Sequence, residues 1–177
     1  MIVEDLSPND LTLFTPPPAD PPLREELIAL CAQAIAADPW RDPPGRAVKV
    51  VDRLFASVGK PSFRLVTCRV DGMLVGFGYG CVDVFCAGLA PREFGHDKAF
   101  ELVDLAVAPM YQGMGIGRKL HDTLLAQAPS PRLLLTHQAL ELRSRYARWG
   151  WQDLGDVVIP GSGAPLALMA QTADAKE

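Results

Sequence analysis

The stretch Glu101-Leu-Val-Asp-Leu-Ala-Val107, followed by Ala-Pro-Met-Tyr and then by Gln112-Gly-Met-Gly-Ile-Gly117, decides how this chain is interpreted. Its first part predicts a buried β-strand, and an amphipathic helix is predicted directly after its last glycine. A glycine-rich turn at a helix start presents several backbone N–H groups, and the positive end of the helix dipole, to an anion. The stretch therefore predicts a site for the pyrophosphate of a nucleotide-like cofactor.

Two common phosphate loops do not fit this turn. A P-loop requires two glycines five positions apart, followed by Lys and then Ser or Thr, whereas Gly117 is followed by Arg-Lys-Leu. A dinucleotide fingerprint requires Gly-x-Gly-x-x-Gly and an acidic residue about 20 positions later. Here the glycines alternate, and the next predicted strand ends in Thr136-His137 without an acid. Neither a P-loop nor a dinucleotide fold is predicted.

The turn resembles instead the acyl-CoA signature Gln/Arg-x-x-Gly-x-Gly/Ala of the GNAT superfamily of N-acetyltransferases. The matching positions are Gln112, Gly115 and Gly117, introduced by Val107-x-Pro109-x-Tyr111. A second landmark of that family, a tyrosine four residues before a Gly-aromatic pair, is matched by Tyr146 and Gly150-Trp151. The resemblance implies an α/β fold: a central mixed β-sheet with helices on both faces and splayed parallel strands.

The resemblance also implies that acetyl-CoA is the acyl donor. Because the four cysteines form no Cys-x-x-Cys pair and the three histidines are scattered, no metal is expected. The pantetheine arm would pair with the backbone of Leu105, Ala106 and Val107 in the gap between the splayed strands, and the Val107 N–H would donate to the thioester oxygen. Arg118 is either a further phosphate ligand or a solvated surface arginine. The pyrophosphate would lie on the N–H groups from Gly113 to Arg118. The cofactor-binding residues of the loop are thus Gln112, Gly113, Met114, Gly115, Ile116, Gly117 and Arg118.

Tyr146 is the catalytic residue that the resemblance indicates most clearly, as proton donor to the sulfur of CoA. A leaving thiolate with a pKa of about 8.5 benefits from such a donor; a ring that only packs against the pantetheine arm is the alternative. Glu101 stands where some family members place the base that deprotonates the acceptor amine. Asp104 and His137 are alternatives, and Asp104 points to the opposite face of a regular strand from Glu101. Many relatives have a cofactor-binding asparagine where this chain has Ala139.

By this resemblance the protein is an enzyme, an N-acetyltransferase that transfers the acetyl group to a primary amine by direct attack on the thioester. A non-catalytic acyl-CoA sensor on the same fold is the alternative. The mix of aromatic and acidic groups expected around the acceptor favours a cationic or aromatic amine. The resemblance places in that pocket Trp40, Arg41, Asp42, Phe94, His96 and Asp97.

Length and composition set the remaining expectations. The 177 residues, 49% of them hydrophobic, suit one domain over residues 23–172, after a proline-rich segment at 1–22 and before a tail at 173–177. A net charge of −4 without a basic block predicts no nucleic-acid partner. No apolar run spans a bilayer and no signal peptide is visible, so a cytoplasmic location is expected, with a homodimer as an open alternative. The four cysteines form no Cys-x-x-Cys pair and are expected to be free thiols.

Periodicity and turn residues predict the order of the elements. A strand, helix and strand over residues 99–136 predict a right-handed βαβ unit with parallel strands. Gly76, Gly78 and Gly80 lie on one face of a predicted strand, which indicates that another part of the chain approaches it closely. Strands are predicted at 11–14, 62–70, 73–82, 99–107, 132–136, 152–159 and 165–170, helices at 23–37, 47–58, 116–128 and 140–149, and a long loop at 83–98.

Overall fold

The computed structural model describes residues 11–14, 21–94, 97–161 and 163–172. Within these ranges the strands are β1 (Leu11–Phe14), β2 (Arg64–Val70), β3 (Met73–Asp83), β4 (Ala99–Val107), β5 (Arg132–Thr136), β6 (Gln152–Val157) and β7 (Leu166–Gln171). The helices are α1 (Pro21–Ala36), α2 (Arg46–Ala56), α3 (Phe85–Leu89), α4 (Ile116–Leu125) and α5 (Leu140–Arg148), and a single 3₁₀ turn covers Pro109–Tyr111.

The strands form a mixed sheet in the order β1-β2-β3-β4-β5-β7-β6. The first three strands pair antiparallel. β4 and β5 pair parallel from Phe100 opposite Arg132 to Leu102 opposite Leu134. β7 then pairs antiparallel with β5, and β6 pairs with β7. The predicted α/β class and the parallel βαβ unit are confirmed.

The chain divides into two compact units. The first consists of Met1–Gly80 and Asp104–Gln127, and the second of Cys81–Val103 and Ala128–Glu177. β4 therefore contributes Asp104–Val107 to the first unit and its earlier residues to the second. All of the predicted cofactor-binding residues belong to the first unit, whereas Glu101 and Tyr146 belong to the second.

Helix α4 packs closely on β3 in the first unit. Ile116 and Leu120 form a buried cluster with residues of β2 and β3. A β-carbon added at Gly76 would lie 2.9 Å from Cδ1 of Leu120 and 3.3 Å from the carbonyl oxygen of Ala106. The close approach predicted from the alternating glycines is thus confirmed at Gly76, and the approaching groups are α4 and the neighbouring strand.

Replacing this glycine tests the packing of α4 on the sheet. We expect Gly76→Ala to lower the free energy of unfolding by about 1–3 kcal/mol, because an extra methyl group in a filled core forces its neighbours to move. Urea denaturation with a linear extrapolation measures the change. The matched control is Gly59→Ala, where a β-carbon meets nothing within 4 Å; an equal loss in both variants would contradict the packing argument.

The second unit contains the one helix that the sequence did not predict. α3 lies within residues 83–98, which were predicted to be a loop, and that prediction is wrong. Oε1 of Glu101 accepts a hydrogen bond of 2.7 Å from the N–H of Cys86 in the first turn of α3. Cys86 and Ala87 are buried in a cluster with Leu133 and Leu168. Residues distant in sequence thus hold this five-residue helix, so it has no local signature.

The other predicted elements agree with the structure to within three residues at their ends, where helices commonly fray. The tail at 173–177 and most of the proline-rich segment lie outside the described residues. None of the helices in the described ranges combines the length and the apolar character that crossing a bilayer requires.

Candidate active site

The predicted phosphate loop connects the 3₁₀ turn to α4. Its glycines Gly113 and Gly115 have φ angles of +77° and +81°, and Gly115 is the N-cap residue of α4. Only glycine adopts this left-handed conformation without strain. A β-carbon at either position would meet nothing within 4 Å. The glycines are therefore needed for the path of the backbone, and the protein leaves the space beside them open.

Several backbone N–H donors lie at the start of α4. The N–H of Lys119 is the first to bond back into the helix, to the carbonyl oxygen of Gly115 at 3.1 Å. Ile116 and Gly117 are the first residues of α4, and the first N–H groups of a helix have no acceptor within it. Together with the helix dipole they form a favourable position for an anion.

The loop is tied back to the end of β4. Nε2 of Gln112 donates to the carbonyl oxygen of Val107 at 3.0 Å. The N–H of Tyr111 donates to the carbonyl oxygen of Ala108, and the N–H of Ala108 donates to Val75 of β3, both at 2.8 Å. The position of Gln112 thus has a structural use, because its side chain fixes the loop relative to the strand.

The backbone of β4 presents donors on the side away from β3. The N–H of Ala108 points to β3. Because successive backbone N–H groups of a strand point to opposite sides, the N–H groups of Leu105 and Val107 point away from β3. The carbonyl oxygen of Ala106, by contrast, lies on the β3 side near Gly76. Of the three strand residues predicted to bind the cofactor, Leu105 and Val107 direct their backbone N–H groups away from β3. The backbone groups of Ala106 point towards β3.

Arg118 is engaged on the surface of α4. Its Nε donates to Oδ2 of Asp122 at 2.6 Å, one helical turn further on, and both side chains are about half exposed. Nδ1 of the buried His121 lies 2.8 Å from Oδ1 of the same carboxylate. Burial acts to raise the pKa of Asp122, but the hydrogen bonds from Arg118 and His121 outweigh it and lower that pKa. The charge of Arg118 is therefore partly compensated.

Tyr146 lies in the last turn of α5, and the residues after it close the helix. The N–H of Trp151 donates to the carbonyl oxygen of Tyr146 and the N–H of Gly150 to that of Ala147, both at 3.0 Å. With Gly150 at φ +88° this is a Schellman motif. The Tyr146 ring is 8% exposed and meets Trp149 and Trp151 edge-on, at centroid distances of 5.5 and 6.1 Å. The Tyr-x-x-x-Gly-Trp spacing therefore fixes both the ring and the helix end.

Arg143 fixes α5, and with it Tyr146, to the neighbouring strand β6. Its Nη1 donates to Asp153 at 2.7 Å, its Nη2 donates to Asp156, and its Nε donates to the carbonyl oxygen of Gln138 at 3.2 Å. All three nitrogen atoms of the guanidinium are thus used within the second unit. The sequence analysis did not single out Arg143, because its partners are defined only by the fold.

Comparison with known proteins decides the family. The profile described as "Acetyltransferase (GNAT) family" matches residues 29–151, more than half of the chain and including both the loop and Tyr146. This chain belongs to the GNAT acetyltransferase family. It is accordingly an acyltransferase enzyme. No curated protein sequence matches it significantly.

Solved structures of this GNAT fold agree over nearly the whole chain. A Bordetella pertussis putative GNAT-family acetyltransferase is 19% identical, with a TM-score of 0.67 over 94% of this chain and 98% of its own. A Corynebacterium glutamicum protein described as histone acetyltransferase HPA2 and related acetyltransferase is 20% identical, with a TM-score of 0.65 over 95% and 99%. An aminoglycoside 6'-N-acetyltransferase complexed with coenzyme A is 16% identical, with a TM-score of 0.61 over 92% and 96%. At these identities the likeness concerns the fold.

Glu101 and His137 are two of the residues predicted as alternatives for the base that deprotonates the acceptor amine, and their surroundings in this GNAT enzyme differ. Glu101 is only 5% exposed, and one of its oxygens accepts the N–H of Cys86. Nδ1 of His137 accepts the N–H of Ala139 at 3.0 Å. The side chain of His137 therefore fixes the backbone before α5, at the position where Ala139 replaces the expected asparagine.

Asp104 lies in a polar cluster of the first unit that the sequence analysis did not foresee. Nη2 of Arg53 on α2 donates to both of its oxygens, at 3.1 and 2.9 Å. Tyr79 of β3 is fully buried beside them. The thiol of Cys31 on α1 belongs to the same cluster, and burial, with the negative charge of Asp104, raises its pKa to about 11. Arg53 and Asp104 are 51 positions apart, so only the fold reveals this pair.

The predicted acceptor residues fall in both units. Trp40 is partly exposed, Arg41 pairs with Asp38, and Asp42 accepts from Nη1 of Arg46 at 2.8 Å, all in the first unit. Phe94, packed against the apolar cluster around Leu133, and the exposed Asp97 belong to the second. His96 lies outside the described residues. These assignments to the acceptor pocket stay predictions.

Proposed function

We propose that this acetyltransferase transfers the acetyl group of acetyl-CoA to a primary amine, by direct attack of the amine on the thioester. The observation that carries the proposal is the loop before α4, where two left-handed glycines leave open space in front of the backbone N–H groups. Such a position fits a pyrophosphate. The similar fold of the aminoglycoside acetyltransferase crystallised with coenzyme A supports a CoA ester as the donor.

In this proposal the first unit holds the acyl donor. The pyrophosphate is bound by the backbone from Gly113 to Arg118, while Gln112 keeps the loop attached to the end of β4. The N–H groups of Leu105 and Val107, which point away from β3, donate to the pantetheine arm and to the thioester oxygen. Negative charge develops on that oxygen as the amine attacks, and a fixed donor there lowers the barrier.

Two proton transfers complete the proposed reaction. Tyr146 donates a proton to the sulfur as the carbon–sulfur bond breaks, so that CoA leaves as the thiol rather than as the thiolate. The acceptor must lose a proton before its nitrogen can attack, and a carboxylate of β4, Glu101 or Asp104, accepts it. The proposal includes a cytoplasmic location, which suits four reduced cysteines.

Two measurements test this function. Acetyl-CoA at one hundred times its dissociation constant should stabilise the protein by about 2.7 kcal/mol, which a thermal shift detects. Thiol release with a panel of primary amines should then show turnover. An acyl-CoA sensor would be stabilised without releasing thiol, and a protein stabilised by no CoA ester would overturn the proposal as a whole.

The protein's own thiols interfere little with this assay. Cys31, Cys68, Cys81 and Cys86 are buried and form no disulfides. With the pKa of Cys31 raised to about 11, very little of it is the reactive thiolate at neutral pH. A titration of the native protein without substrates, repeated in guanidinium where all four thiols react, gives the background to subtract.

A further inference from the structure

Two tryptophan rings meet the Tyr146 ring edge-on, and the way in which α5 ends explains only one of these contacts. In a Schellman motif the residue after the glycine commonly packs on a side chain in the last turn of the helix. Trp151 is that residue, since its N–H donates to the carbonyl oxygen of Tyr146 at 3.0 Å and it is 3% exposed. The contact between Trp149 and Tyr146 is additional to the motif.

Trp149 is the C-cap residue of α5, and its neighbours Arg148 and Gly150 are both exposed. The backbone hydrogen bonds and the left-handed Gly150 already end the helix, so a large aromatic side chain is not needed here for that purpose. Trp149 is nevertheless half-buried, and its ring centroid lies 5.5 Å from that of Tyr146 at an interplanar angle of 82°. This is an edge-to-face geometry that aromatic pairs favour. The Trp151 ring lies farther away, at 6.1 Å and 76°.

We infer that Trp149 is a positioning residue that holds the phenol of Tyr146 in one orientation, so that its hydroxyl stays directed at the sulfur of the donor. The inference rests on the proposed function, in which Tyr146 is the proton donor. A tyrosine side chain turns about two bonds, and a second edge-on neighbour restricts these rotations. A general acid must lie within hydrogen-bond reach of the atom that it protonates. A misplacement of about 1 Å can lower the rate by about 10²-fold.

Trp149 itself gives and takes no proton in the reaction. As the carbon–sulfur bond breaks, the sulfur receives the phenolic proton of Tyr146. The attacking nitrogen, which has formed the new bond to the thioester carbon, releases the proton that restores the phenol. Trp149 can therefore influence the rate only through the hydroxyl group of Tyr146. This restriction distinguishes a positioning residue from one that only supports the fold.

The test is a double-mutant cycle between Trp149 and the hydroxyl group of Tyr146. We expect Trp149→Leu to lower kcat by about 10-fold to 10²-fold, while the dissociation constant of acetyl-CoA changes little. In the Tyr146→Phe background the same substitution should have no further effect on kcat, because the hydroxyl that Trp149 positions is already absent. Thiol release with an amine from the panel gives kcat. A loss of equal size in both backgrounds indicates a structural role and overturns the inference.

Two further variants control for damage to the helix end. Arg148→Ala removes an exposed side chain from the last turn of α5 and weakens only its interaction with the helix dipole, so it should keep the normal kcat. If it slows turnover as much as Trp149→Leu, the ring contact is not the cause and the inference is wrong. Trp149→Phe keeps a smaller aromatic edge and should show a smaller loss, which again disappears in Tyr146→Phe. It supplies the cycle if the leucine variant does not fold.

The motion of the Tyr146 ring gives a test that does not depend on turnover. The chain has three tyrosines, so carbon-13 labelling of their rings gives few signals, and Tyr146→Phe identifies the one that belongs to Tyr146. Carbon relaxation should show a larger amplitude of ring motion in Trp149→Leu than in the unmodified protein or in Arg148→Ala. An equal amplitude in all three proteins overturns the inference.

The remaining outcomes separate the inference from the proposed function. If the unmodified enzyme releases no thiol with any amine, the proposed function fails and the inference fails with it. If Tyr146→Phe keeps full turnover, acetyl transfer stands, but the role of proton donor and the inference both fail. If Tyr146→Phe slows turnover and Trp149→Leu does not, the inference alone is overturned.

Discussion

Tyr146→Phe should lower kcat by about 10²-fold to 10⁴-fold, the usual contribution of a general acid, while the dissociation constant of acetyl-CoA changes little. Phenylalanine keeps the edge contacts of the ring with Trp149 and Trp151. The backbone hydrogen bonds that end α5 are also kept, because they join main-chain atoms, among them the carbonyl oxygens of Tyr146 and Ala147. The substitution therefore removes the hydroxyl group and leaves its support in place. Thiol release gives kcat, and calorimetry gives the dissociation constant.

A second substitution at the same position separates the hydroxyl from the ring. Tyr146→Leu removes both, and is expected to lose stability as well as turnover, because the buried ring closes the end of α5. If the ring only packs against the pantetheine arm, Tyr146→Phe keeps full turnover and Tyr146→Leu weakens acetyl-CoA binding. That pair of results would contradict the role of proton donor.

The features that the sequence predicted well are local ones. β4, the loop and α4 follow each other in the chain, and Gly113 and Gly115 permit the left-handed backbone that the turn uses. Tyr146 and Gly150-Trp151 belong to one helix end, where a Schellman motif fixes the spacing. The alternating glycines of β3 form a pattern within one strand, and that pattern predicted the close approach of another part of the chain. For the loop and the helix end the physical cause lies within a few residues of the pattern, whereas the groups that approach Gly76 come from Leu120 and Ala106, far away in the chain.

The features that the sequence missed depend on residues far apart in the chain. α3 is held by Glu101, 15 positions away from Cys86. Arg53 meets Asp104 only because α2 packs beside β4, and Arg143 meets Asp156 only because β6 follows α5 in space. No periodicity marks such pairs, so a prediction from one sequence can name Asp104 as a candidate without finding its partner Arg53.

Gly115→Ala should raise the dissociation constant of acetyl-CoA by about 10-fold to 100-fold, a loss of about 1.4–2.8 kcal/mol of binding free energy. An alanine at φ +81° is strained by about 1–2 kcal/mol. The backbone can relieve that strain by turning the N–H groups of the loop away from their common direction. The new methyl group also enters the open space beside the loop, where the proposal places the pyrophosphate.

Gly72→Ala is the matched control for this prediction. Gly72 has a φ of +79° in the turn between β2 and β3, and a β-carbon there also meets nothing within 4 Å. The two variants should therefore lose similar amounts of stability, by the same strain, and only Gly115→Ala should lose affinity. Melting temperatures without ligand and calorimetric titrations with acetyl-CoA provide both comparisons. Equal affinity in the two variants would mean that the backbone N–H groups before α4 do not bind the donor, because strain at Gly115 would then have no consequence for the ligand.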